Sequence, residues 1–487
     1  MTTATGVDPR TGEMVTEFGL PATEDVRAVA AAAAQAAAAL DEIGRAGRAN
    51  LLRRYADRLD ARRADVVSVA SRETALSDAR LDGEVSRTVG QLRLFASVID
   101  DGGYLEIAID HANDVDVPQD LRRVLVPVGP VAIFGASNFP LAFSVPGGDT
   151  ASALAAGCPV VVKAHPSHPA TSALCLEELS GAVADTELPR GTVGMVSGLE
   201  AGMELVSHPD IRAVSFTGSL SGGRALLDRI NARPDPIPFF GELSSLNPLV
   251  VSPAAAALRG QQIAAGLVAS VTGSGGQLCT KPGLVMVPEG ASGDALVAHM
   301  QAGVAELPEV ALLNERVYEA YVDGVGEQGR GGRPAGWWVR PVIVESSKDA
   351  ALPEECFGPT TVVRRYRDLD EAAALIEQGP GSLTISLHAE PSEHEAMARV
   401  LRSARLKSGR LVLNGFPTGV AVTWAQHHGG PWPSATSHHT SVGATAIRRF
   451  LRPVVYQGFW ESWVPEEVRD AHRGLPRRVN GRIESAS

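Results

Sequence analysis

Cys279 is the residue of this chain whose type and surroundings are best suited to nucleophilic chemistry. It lies in the segment GGQLCTKPG, where glycines and small polar residues flank it. A free cysteine is usually a small buried hydrophobe, and Cys158, Cys175 and Cys356 have unremarkable surroundings. Cys279 taken alone therefore fits either a packed thiol or an attacking one, and other motifs must decide.

Asn138 and Glu242 are two further polar residues at positions where chemistry is expected. Asn138 soon follows the β-type run Val131–Phe134, and the carboxyl end of a strand in an α/β sheet is where ligands are met. An amide N–H there could stabilise an oxyanion, although a turn asparagine fits the same pattern. Glu242, in the segment FGELSS, is either a capping residue or a base that activates water, and burial would raise its pKa towards neutrality.

The motif Phe216-Thr217-Gly218-Ser219 is suited to binding a phosphate group. It ends a β-type run and opens a helical segment with two glycines in its first turns. Small residues at a helix N-terminus let a phosphate reach the backbone N–H groups, with help from the helix dipole. The motif does not match the usual dinucleotide fingerprint G-x-G-x-x-G, so it is a weak signal when taken alone.

Lys163 and Glu355 are charged residues that could contact the sugar hydroxyls of a nucleotide. Lys163 ends the continuous β-branched run Val160–Val162, an awkward position for a charge unless it meets a ligand or extends to solvent. Glu355 lies in the segment EECFGP, where its carboxylate could hold a ribose hydroxyl while Phe357 packs on a planar group. An exposed acidic turn is an equally good interpretation of this segment alone.

Two series of alternating strands and helices must position these motifs. Residues 22–100 show helical spacing of apolar residues, and from about residue 120 short β-type runs alternate with helical segments. This alternation predicts an α/β fold with parallel strands and crossover helices. A second series begins after Asn247, so we expect a domain boundary near residue 243. The polar tail from Glu466 is expected to end in about ten mobile residues.

Composition and charge exclude several classes of partner. The 487-residue chain carries a formal net charge of −12, so it has no basic field with which to hold a nucleic acid or an anionic membrane. Its four cysteines form neither a disulfide framework nor zinc-ligand spacing, and no secretory signal is visible. We interpret His427-His428 and His438-His439 as surface residues rather than metal ligands. These features favour a cytoplasmic protein without a metal.

The ordered set of motifs resembles that of the aldehyde dehydrogenase superfamily, from Asp8 to about Tyr456. The matching segments are Asn138-Phe139-Pro140, Lys163, Phe216–Ser219, Glu242-Leu243, Gly276–Cys279 and Glu354–Pro359. The resemblance implies a Rossmann-type cofactor domain (1–108 and 128–242), an α/β catalytic domain (243–446) and a small oligomerisation hairpin and arm (109–127 and 447–487). It also implies a homodimer or homotetramer that forms by sheet extension.

Within this superfamily the chain is most similar to the branch of α-ketoglutaric semialdehyde (2,5-dioxovalerate) dehydrogenases and related NADP-using enzymes. The segments that carry this similarity are ASNFPLAFSV with GGDT, KAHP, KPG and RFLRP. Oxidation of medium- or long-chain aliphatic aldehydes on the same scaffold is the main alternative. A non-catalytic protein on this fold is disfavoured because Cys279, Glu242 and Asn138 are all present. A CoA-acylating enzyme is disfavoured because Glu242 supplies a base for hydrolysis.

The resemblance assigns Cys279 as the nucleophile that forms a thiohemiacetal and then a thioester with the aldehyde. The Asn138 side-chain amide and the Cys279 backbone N–H would hold the oxyanion, and Glu242 would activate the water that hydrolyses the thioester. One oxyanion hole serves both covalent steps, and the scheme requires no metal.

The resemblance also implies a set of cofactor-binding residues. Lys163 would bond the adenosine ribose, Phe216–Ser219 would lie beside the pyrophosphate, and Glu355 would hold the nicotinamide ribose with Phe357 near the ring. Many NAD-preferring members carry a glutamate three residues after the lysine, where this chain has Pro166, followed by Ser167. We therefore expect NADP as the cofactor, with NAD as the alternative.

The aldehyde tunnel is expected to combine a helix after Asn138 with later catalytic segments. Its expected lining residues are Phe139, Phe143, Pro146, Phe416 and Trp432. Pro146 stands where the branch often has a small residue, which predicts a narrower channel. The segment 434–440 lacks an arginine that the branch usually carries, and His439 would take its place. If that arginine binds a substrate carboxylate, its loss weighs against 2,5-dioxovalerate.

Overall fold

The helical spacing between residues 22 and 100 corresponds to four helices in the computed structural model, which describes residues 3–21, 25–347 and 349–485. An antiparallel hairpin that the sequence did not indicate precedes them. Asp25 caps the first helix by accepting a hydrogen bond from the Ala28 N–H at 2.9 Å. The elements are β1 (Thr3–Val7), β2 (Met14–Pro21), α1 (Val26–Glu42), α2 (Gly44–Ala61), α3 (Arg63–Thr74) and α4 (Asp78–Asp101).

A second hairpin, β3 (Ile107–Asp110) and β4 (Leu121–Pro127), connects α4 to the first parallel sheet. This sheet has five parallel strands in the order β7-β6-β5-β8-β9. Its strands are β5 (Val131–Phe134), β6 (Val160–Lys163), β7 (Val193–Val196), β8 (Ala213–Thr217) and β9 (Phe239–Glu242). Its helices are α5 (Gly148–Ala156), α6 (Pro169–Asp185), α7 (Leu199–Ser207) and α8 (Leu220–Asn231). The predicted alternation of strands and helices is confirmed here.

The segment between Asn138 and Gly147 is a series of turns rather than the helix that the sequence suggested. Pro140 and Pro146 each remove a backbone donor that a continuous helix would use. The close approach of Gly147 to the Ala142 and Ser144 backbone, where a Cβ atom would lie 2.8 Å from three backbone atoms, also requires a tight turn. The helix therefore begins only at Gly148.

A second parallel sheet follows β9 in the chain, with six strands in the order β14-β15-β11-β10-β16-β17. Its strands are β10 (Leu249–Val251), β11 (Leu284–Pro288), β14 (Val342–Ser346), β15 (Thr360–Tyr366), β16 (Ser382–His388) and β17 (Ser408–Leu413). Its helices are α9 (Pro253–Thr272), α10 (Ala291–Ala305), α11 (Glu315–Val325), α12 (Leu369–Gln378) and α13 (Ala398–Lys407), and a small ribbon joins β12 (Val310–Ala311) to β13 (Trp338–Val339). The second α/β series is thereby confirmed.

The C-terminal segment returns to the β3–β4 hairpin and completes a third sheet in the order β18-β4-β3-β19-β20. Its additional strands are β18 (Leu451–Gln457), β19 (Arg477–Val479) and β20 (Arg482–Glu484). The expectation of a mobile tail is wrong for residues up to 485, because the buried Arg477 bonds Glu484 at 2.9 Å and the His472 carbonyl at 2.7 Å. Within the residues that the structure describes, no helix is both long enough and apolar enough to cross a membrane.

Candidate active site

Cys279 lies in a loop between α9 and β11 that polar side chains fix in place. Asn247 donates from its side-chain amide to the backbone carbonyls of Cys279 at 2.8 Å and Lys281 at 3.0 Å. Gly276 has φ +68°, and a Cβ atom there would lie 2.1 Å from the carbonyl oxygen of Gly358. Only glycine allows this approach, so the loop is held against the segment that carries Glu355. The sequence did not identify Asn247 as a site residue.

Asn138 faces the Cys279 loop from the end of β5. Its side-chain Nδ2 donates to the Gln277 carbonyl at 2.7 Å, and the residue is 8% exposed. A carboxamide nitrogen carries two N–H groups, so one remains for an oxyanion. The turn after Asn138 is held by Glu84 on α4, whose Oε1 accepts the N–H groups of Leu141 and Ala142 at 2.9 Å.

Glu242 ends β9 and is buried as a bonded carboxylate. Its Oε1 lies 2.9 Å from His428 Nε2, and its Oε2 accepts the Ser441 hydroxyl at 2.5 Å. Burial alone would raise the pKa of Glu242, but the charge and hydrogen bond of His428 and the bond from Ser441 lower it below its ordinary value. The expectation of a pKa raised towards neutrality is therefore wrong, because the sequence did not show these two partners.

His428 contacts both catalytic candidates, and its assignment as a surface residue is wrong. Its side chain is 1% exposed, and Nε2 lies 3.5 Å from Cys279 Sγ. The His428 N–H donates to Thr440 Oγ1 at 2.8 Å, and its carbonyl accepts the Ser441 N–H at 2.8 Å. The glycines that follow His428 in the sequence are the signal that this segment is packed inside the protein. A Cβ atom at Gly430 would lie 2.3 Å from the Ser382 carbonyl oxygen, so the backbone there must pass close to β16.

The Cys279 thiol lies in an environment that favours its protonated form. Burial raises the pKa of Cys279 well above its ordinary value, and the charges of Glu242 and Glu355 raise it further, while Arg410 lowers it. The thiol therefore needs a neighbouring base before it can attack a carbonyl. Cys279, Glu242 and His428 each place a ligand atom within 4.8 Å of the others, a set that could also hold a metal ion.

The residues expected to contact a dinucleotide lie along the carboxyl edge of the first sheet. Lys163 ends β6 and Thr217 ends β8, while Ser219 caps α8 by accepting the Gly222 N–H at 3.2 Å. Burial lowers the pKa of Lys163, whose ammonium forms no ion pair among the described residues. A Cβ atom at Gly218 would lie 2.6 Å from the Phe216 ring, so the turn leaves room only for backbone. An unpartnered lysine and an open, small-residue helix N-terminus fit a nucleotide diphosphate.

Further residues border the carboxyl edge of the first sheet, and two of them come from α11 or its N-terminus. Ser167 is buried, and its hydroxyl accepts a hydrogen bond from Asn314 Nδ2 at 2.9 Å, while Pro166 beside it is exposed. Arg316 on α11, which the sequence did not indicate, donates to the Ser219 hydroxyl at 3.5 Å. Its charge also contributes to lowering the pKa of His165, after burial and the charges of His168 and Lys163. The edge is thus electropositive where a nucleotide would lie.

Glu355 and Phe357 lie on the other side of the Cys279 loop. The Glu355 carboxylate accepts the Ser244 hydroxyl at 2.5 Å. Burial raises the pKa of Glu355, and the Ser244 bond and the charge of Lys281 oppose that change. Phe357 is half-buried in the same segment. The negative charge of Glu355 contributes to raising the pKa of the Cys279 thiol.

The expected tunnel residues divide into two groups. The rings of Phe139 and Phe143 meet edge to face at 5.1 Å, and Phe143 lies 6.5 Å from the His428 ring. Pro146 is buried in the turn before α5. Phe416 packs instead on Gly266 of α9 and lies 5.0 Å from the His388 ring.

Trp432 and His439 lie at the surface. Trp432 is 44% exposed beneath the Arg224 guanidinium, which is 5.0 Å from its ring centroid. Arg224 is on α8, so this tryptophan covers an outer groove rather than the region of Cys279. His439 is exposed, and its ring lies 6.5 Å from that of Phe240. Phe139 and Phe143 thus lie on the side of His428, whereas Phe416 packs on α9 and Trp432 lies against α8.

This combination of two parallel sheets, a bridging sheet and a cysteine beside a buried carboxylate and amide defines a class of enzyme. Residues 2–453 match the aldehyde dehydrogenase family, and the chain belongs to that family. It is an NAD(P)-dependent enzyme that oxidises an aldehyde to a carboxylic acid.

Two similar enzymes cover nearly the whole chain. Alpha-ketoglutaric semialdehyde dehydrogenase 2 of Azospirillum brasilense is 43% identical, with 98% of this chain and 95% of the relative aligned. Alpha-ketoglutaric semialdehyde dehydrogenase of Acinetobacter baylyi is 39% identical, with 95% and 92% aligned. Among solved structures, an aldehyde dehydrogenase from Bacillus cereus in complex with NAD+ has a TM-score of 0.79 at 20% identity, covering 94% of this chain and 93% of that one. This last similarity shows the shared fold.

Proposed function

We propose that this enzyme oxidises α-ketoglutaric semialdehyde to α-ketoglutarate. The observation that supports the chemistry is the cluster of Cys279, His428 and Glu242, with the Asn138 amide directed at the same loop. The observation that supports the substrate is the similarity over nearly full length to two enzymes named for that aldehyde. Medium- and long-chain aliphatic aldehydes are the competing substrates.

The test is a panel of aldehydes assayed with the purified enzyme. We expect kcat/KM for α-ketoglutaric semialdehyde to exceed that for pentanal, octanal and decanal by at least about 100-fold, which corresponds to about 2.7 kcal/mol in transition-state binding. Equal or higher kcat/KM for the long aliphatic aldehydes would assign the enzyme to the competing substrate class.

In the proposed acylation step, the Cys279 thiol gives its proton to the Glu242 carboxylate, with which it shares a hydrogen bond, and Glu242 releases that proton to solvent before deacylation. His428 lies 3.5 Å from Cys279 Sγ, and its Nε2–H donates to the Glu242 carboxylate at 2.9 Å and orients it for this role. The thiolate bonds to the aldehyde carbon, and the Asn138 amide and Cys279 N–H hold the resulting oxyanion. When the carbonyl re-forms, a hydride leaves the carbon, and accepting it is the chemistry that NAD(P)+ supplies when bound.

In the proposed deacylation step, Glu242 accepts a proton from water as the water attacks the thioester on Cys279. The carbon–sulfur bond then breaks, the carboxylic acid leaves, and the thiol regains a proton. Ser441 and His428 keep Glu242 ionised and oriented for this role. Nucleophile, base and oxyanion donors are all side-chain or backbone groups, so we propose that catalysis uses no metal.

Replacing His428 with glutamine is expected to shift the acid limb of the pH–kcat profile to higher pH. His428 helps to keep the pKa of Glu242 below its ordinary value, so without it the effect of burial is opposed mainly by Ser441 and the pKa rises. Activity, which needs ionised Glu242, then begins to fall at a higher pH as the solution is acidified. We also expect kcat/KM at neutral pH to fall about tenfold or more, because Glu242 loses the partner that orients its carboxylate.

The matched control is His427→Gln, a change at the half-buried neighbouring histidine that contacts neither Cys279 nor Glu242. This variant should keep the acid limb of the wild-type enzyme. An unshifted limb in His428→Gln would show that the pKa of Glu242 does not depend on His428.

We propose NADP as the preferred cofactor. The supporting observations are Pro166 in place of a carboxylate, the unpaired Lys163 ammonium, and Arg316 beside Ser219.

Pro166→Glu is expected to lower kcat/KM for NADP about tenfold or more relative to NAD, because a carboxylate there repels a 2′-phosphate. Steady-state kinetics with both cofactors measure this ratio, and Pro166→Gln controls for shape without charge. A wild-type preference for NAD of about 100-fold would contradict the assignment.

We further propose a cytoplasmic homodimer or homotetramer with the domain division 1–108 and 128–242, 243–446, and 109–127 with 447–487. The four cysteines are free thiols, which suits a reducing compartment. Strand β18 is an edge strand whose segment continues into the exposed aromatics Phe459, Trp460 and Trp463. Exposed aromatic groups beside an unpaired strand edge favour burial against another subunit. Sedimentation velocity gives the oligomer size.

A further inference from the structure

Arg87 and Arg410 are two partly buried arginines that bind no carboxylate within the described residues. Arg87, on α4, donates to the Val420 carbonyl. Arg410, on β17, donates to the Gly419 carbonyl at 3.1 Å and to the Pro417 carbonyl. The two guanidinium groups therefore hold the loop 417–420 from different elements. The Nε–H of each is buried and has no hydrogen-bond partner.

Several other shielded arginines of the chain have an acidic partner, whereas Arg233, like Arg87 and Arg410, donates to backbone carbonyls. Backbone carbonyls accept hydrogen bonds but carry no formal charge, so neither Arg87 nor Arg410 has an ion-pair partner among the described residues. Burial lowers the pKa of both groups, as expected for a cation that is desolvated without full compensation. The contrasting ion pairs are Arg80–Glu84, Arg122–Asp470 and Arg449–Asp149.

Arg87 adjoins the side chains that lead to the reacting thiol, and Arg410 holds the same loop as Arg87. The Arg87 guanidinium lies 5.7 Å from the Phe143 ring centroid, Phe143 lies 6.5 Å from the His428 ring, and His428 Nε2 lies 3.5 Å from Cys279 Sγ. Burial lowers the pKa of Arg87, and the charge of Glu84 opposes that change more than those of Cys279 and Glu242 do; for Arg410 the opposing charge is that of Cys279. The arginines thus border the approach to Cys279 on the side of Phe143 and the loop 417–420.

We propose that Arg87 and Arg410 form the subsite that binds the carboxylate at the far end of an oxo-acid aldehyde, an inference that rests on the proposed function. A guanidinium group presents planar paired N–H donors that match a carboxylate. A carboxylate that arrives with the substrate supplies the missing counter-ion. A neutral aldehyde leaves both cations uncompensated, so the pair selects for an anion.

This subsite replaces the arginine that the segment 434–440 lacks. In that segment, His439 is exposed and neighbours Phe240 rather than Phe143. Arg87 and Arg410 come instead from helix α4 and strand β17, outside that segment. The missing arginine therefore does not exclude a carboxylate-bearing substrate.

The test compares Arg87→Gln and Arg410→Gln on two five-carbon aldehydes, α-ketoglutaric semialdehyde and pentanal. Each change is expected to lower kcat/KM for the semialdehyde about ten- to 100-fold, mainly through KM, because a hydrogen bond to a charged group is lost. For pentanal, kcat/KM should change less than about threefold. Arg87→Lys should recover part of the loss by restoring the charge. The Kd of α-ketoglutarate for the Cys279→Ala enzyme, measured by calorimetry, should rise by a similar factor in the arginine variants.

The matched control is Arg93→Gln, which removes an exposed arginine of the same helix that pairs with Asp57 at 2.9 Å. Its two kcat/KM values should equal those of the wild-type enzyme. Equal losses on both aldehydes in the Arg87 and Arg410 variants, or no loss on either, would overturn the subsite. A wild-type enzyme that does not prefer the semialdehyde over pentanal would instead overturn the proposed function. The two failures are therefore distinguishable.

Discussion

Replacing Cys279 with alanine is expected to lower kcat/KM by at least about 10⁴-fold, the largest effect of any single substitution in this protein. Cys279 Sγ lies 3.5 Å from His428 Nε2 and shares a hydrogen bond with the buried Glu242. Without the sulfur no thiohemiacetal forms. Hydride would then have to leave directly from the hydrated aldehyde, without covalent catalysis. The measurement is NADPH production under saturating aldehyde.

The Cys279→Ala protein should remain folded and bind its cofactor, because the substitution removes a desolvated thiol whose ionised form the site disfavours. Cys175→Ala is the matched control. It removes a fully buried thiol on α6, so we expect a loss of about 1 kcal/mol in the free energy of unfolding and unchanged turnover. Substantial turnover by Cys279→Ala would show that the reaction does not pass through this sulfur.

Replacing Glu242 with glutamine is expected to slow deacylation by about 10²- to 10⁴-fold. The amide keeps the volume and can still bond Ser441 and His428, but it cannot accept a proton from water. Acylation depends less on Glu242, because removing its charge also lowers the pKa of Cys279 and so favours the thiolate. Rapid-mixing absorbance at 340 nm (a property of NADPH) should therefore show one fast turnover, followed by a slow steady rate.

Glu354→Gln is the control for this second prediction. Glu354 is exposed and lies beside Glu355 rather than beside Cys279, so its removal should leave both phases unchanged. A Glu242→Gln enzyme that loses the fast phase together with the slow one would mean that Glu242 is required for acylation. An enzyme with normal steady turnover would mean that another group activates the water.

Features encoded in short segments were predictable from the sequence. The buried strand that ends at Lys163 follows from three consecutive valines, and the Ser219 cap follows from a small polar residue between a strand and a helix. Cys279, Glu242 and Asn138 were identified through motifs of a few residues each. The structure then brings these three motifs together at one loop.

Features that depend on distant parts of the chain were not predictable in this way. His428 is 186 residues from Glu242 and 149 from Cys279 in sequence, and its environment changes the direction of the Glu242 pKa shift. Arg87 and Asn247 are likewise placed by long-range packing. Phe416 and Trp432 were assigned to the tunnel from their position in the chain, but neighbours on α9 and α8 set where their rings lie.

The most direct test of the central claim is mass spectrometry of the Glu242→Gln enzyme, quenched in acid after one turnover with NADP and α-ketoglutaric semialdehyde. We expect the peptide containing Cys279 to gain the mass of the acyl group, and neutral hydroxylamine, which cleaves thioesters, to remove it. The peptides of Cys158, Cys175 and Cys356 should stay unmodified. An unmodified Cys279 peptide, despite one equivalent of NADPH formed, would contradict the covalent route.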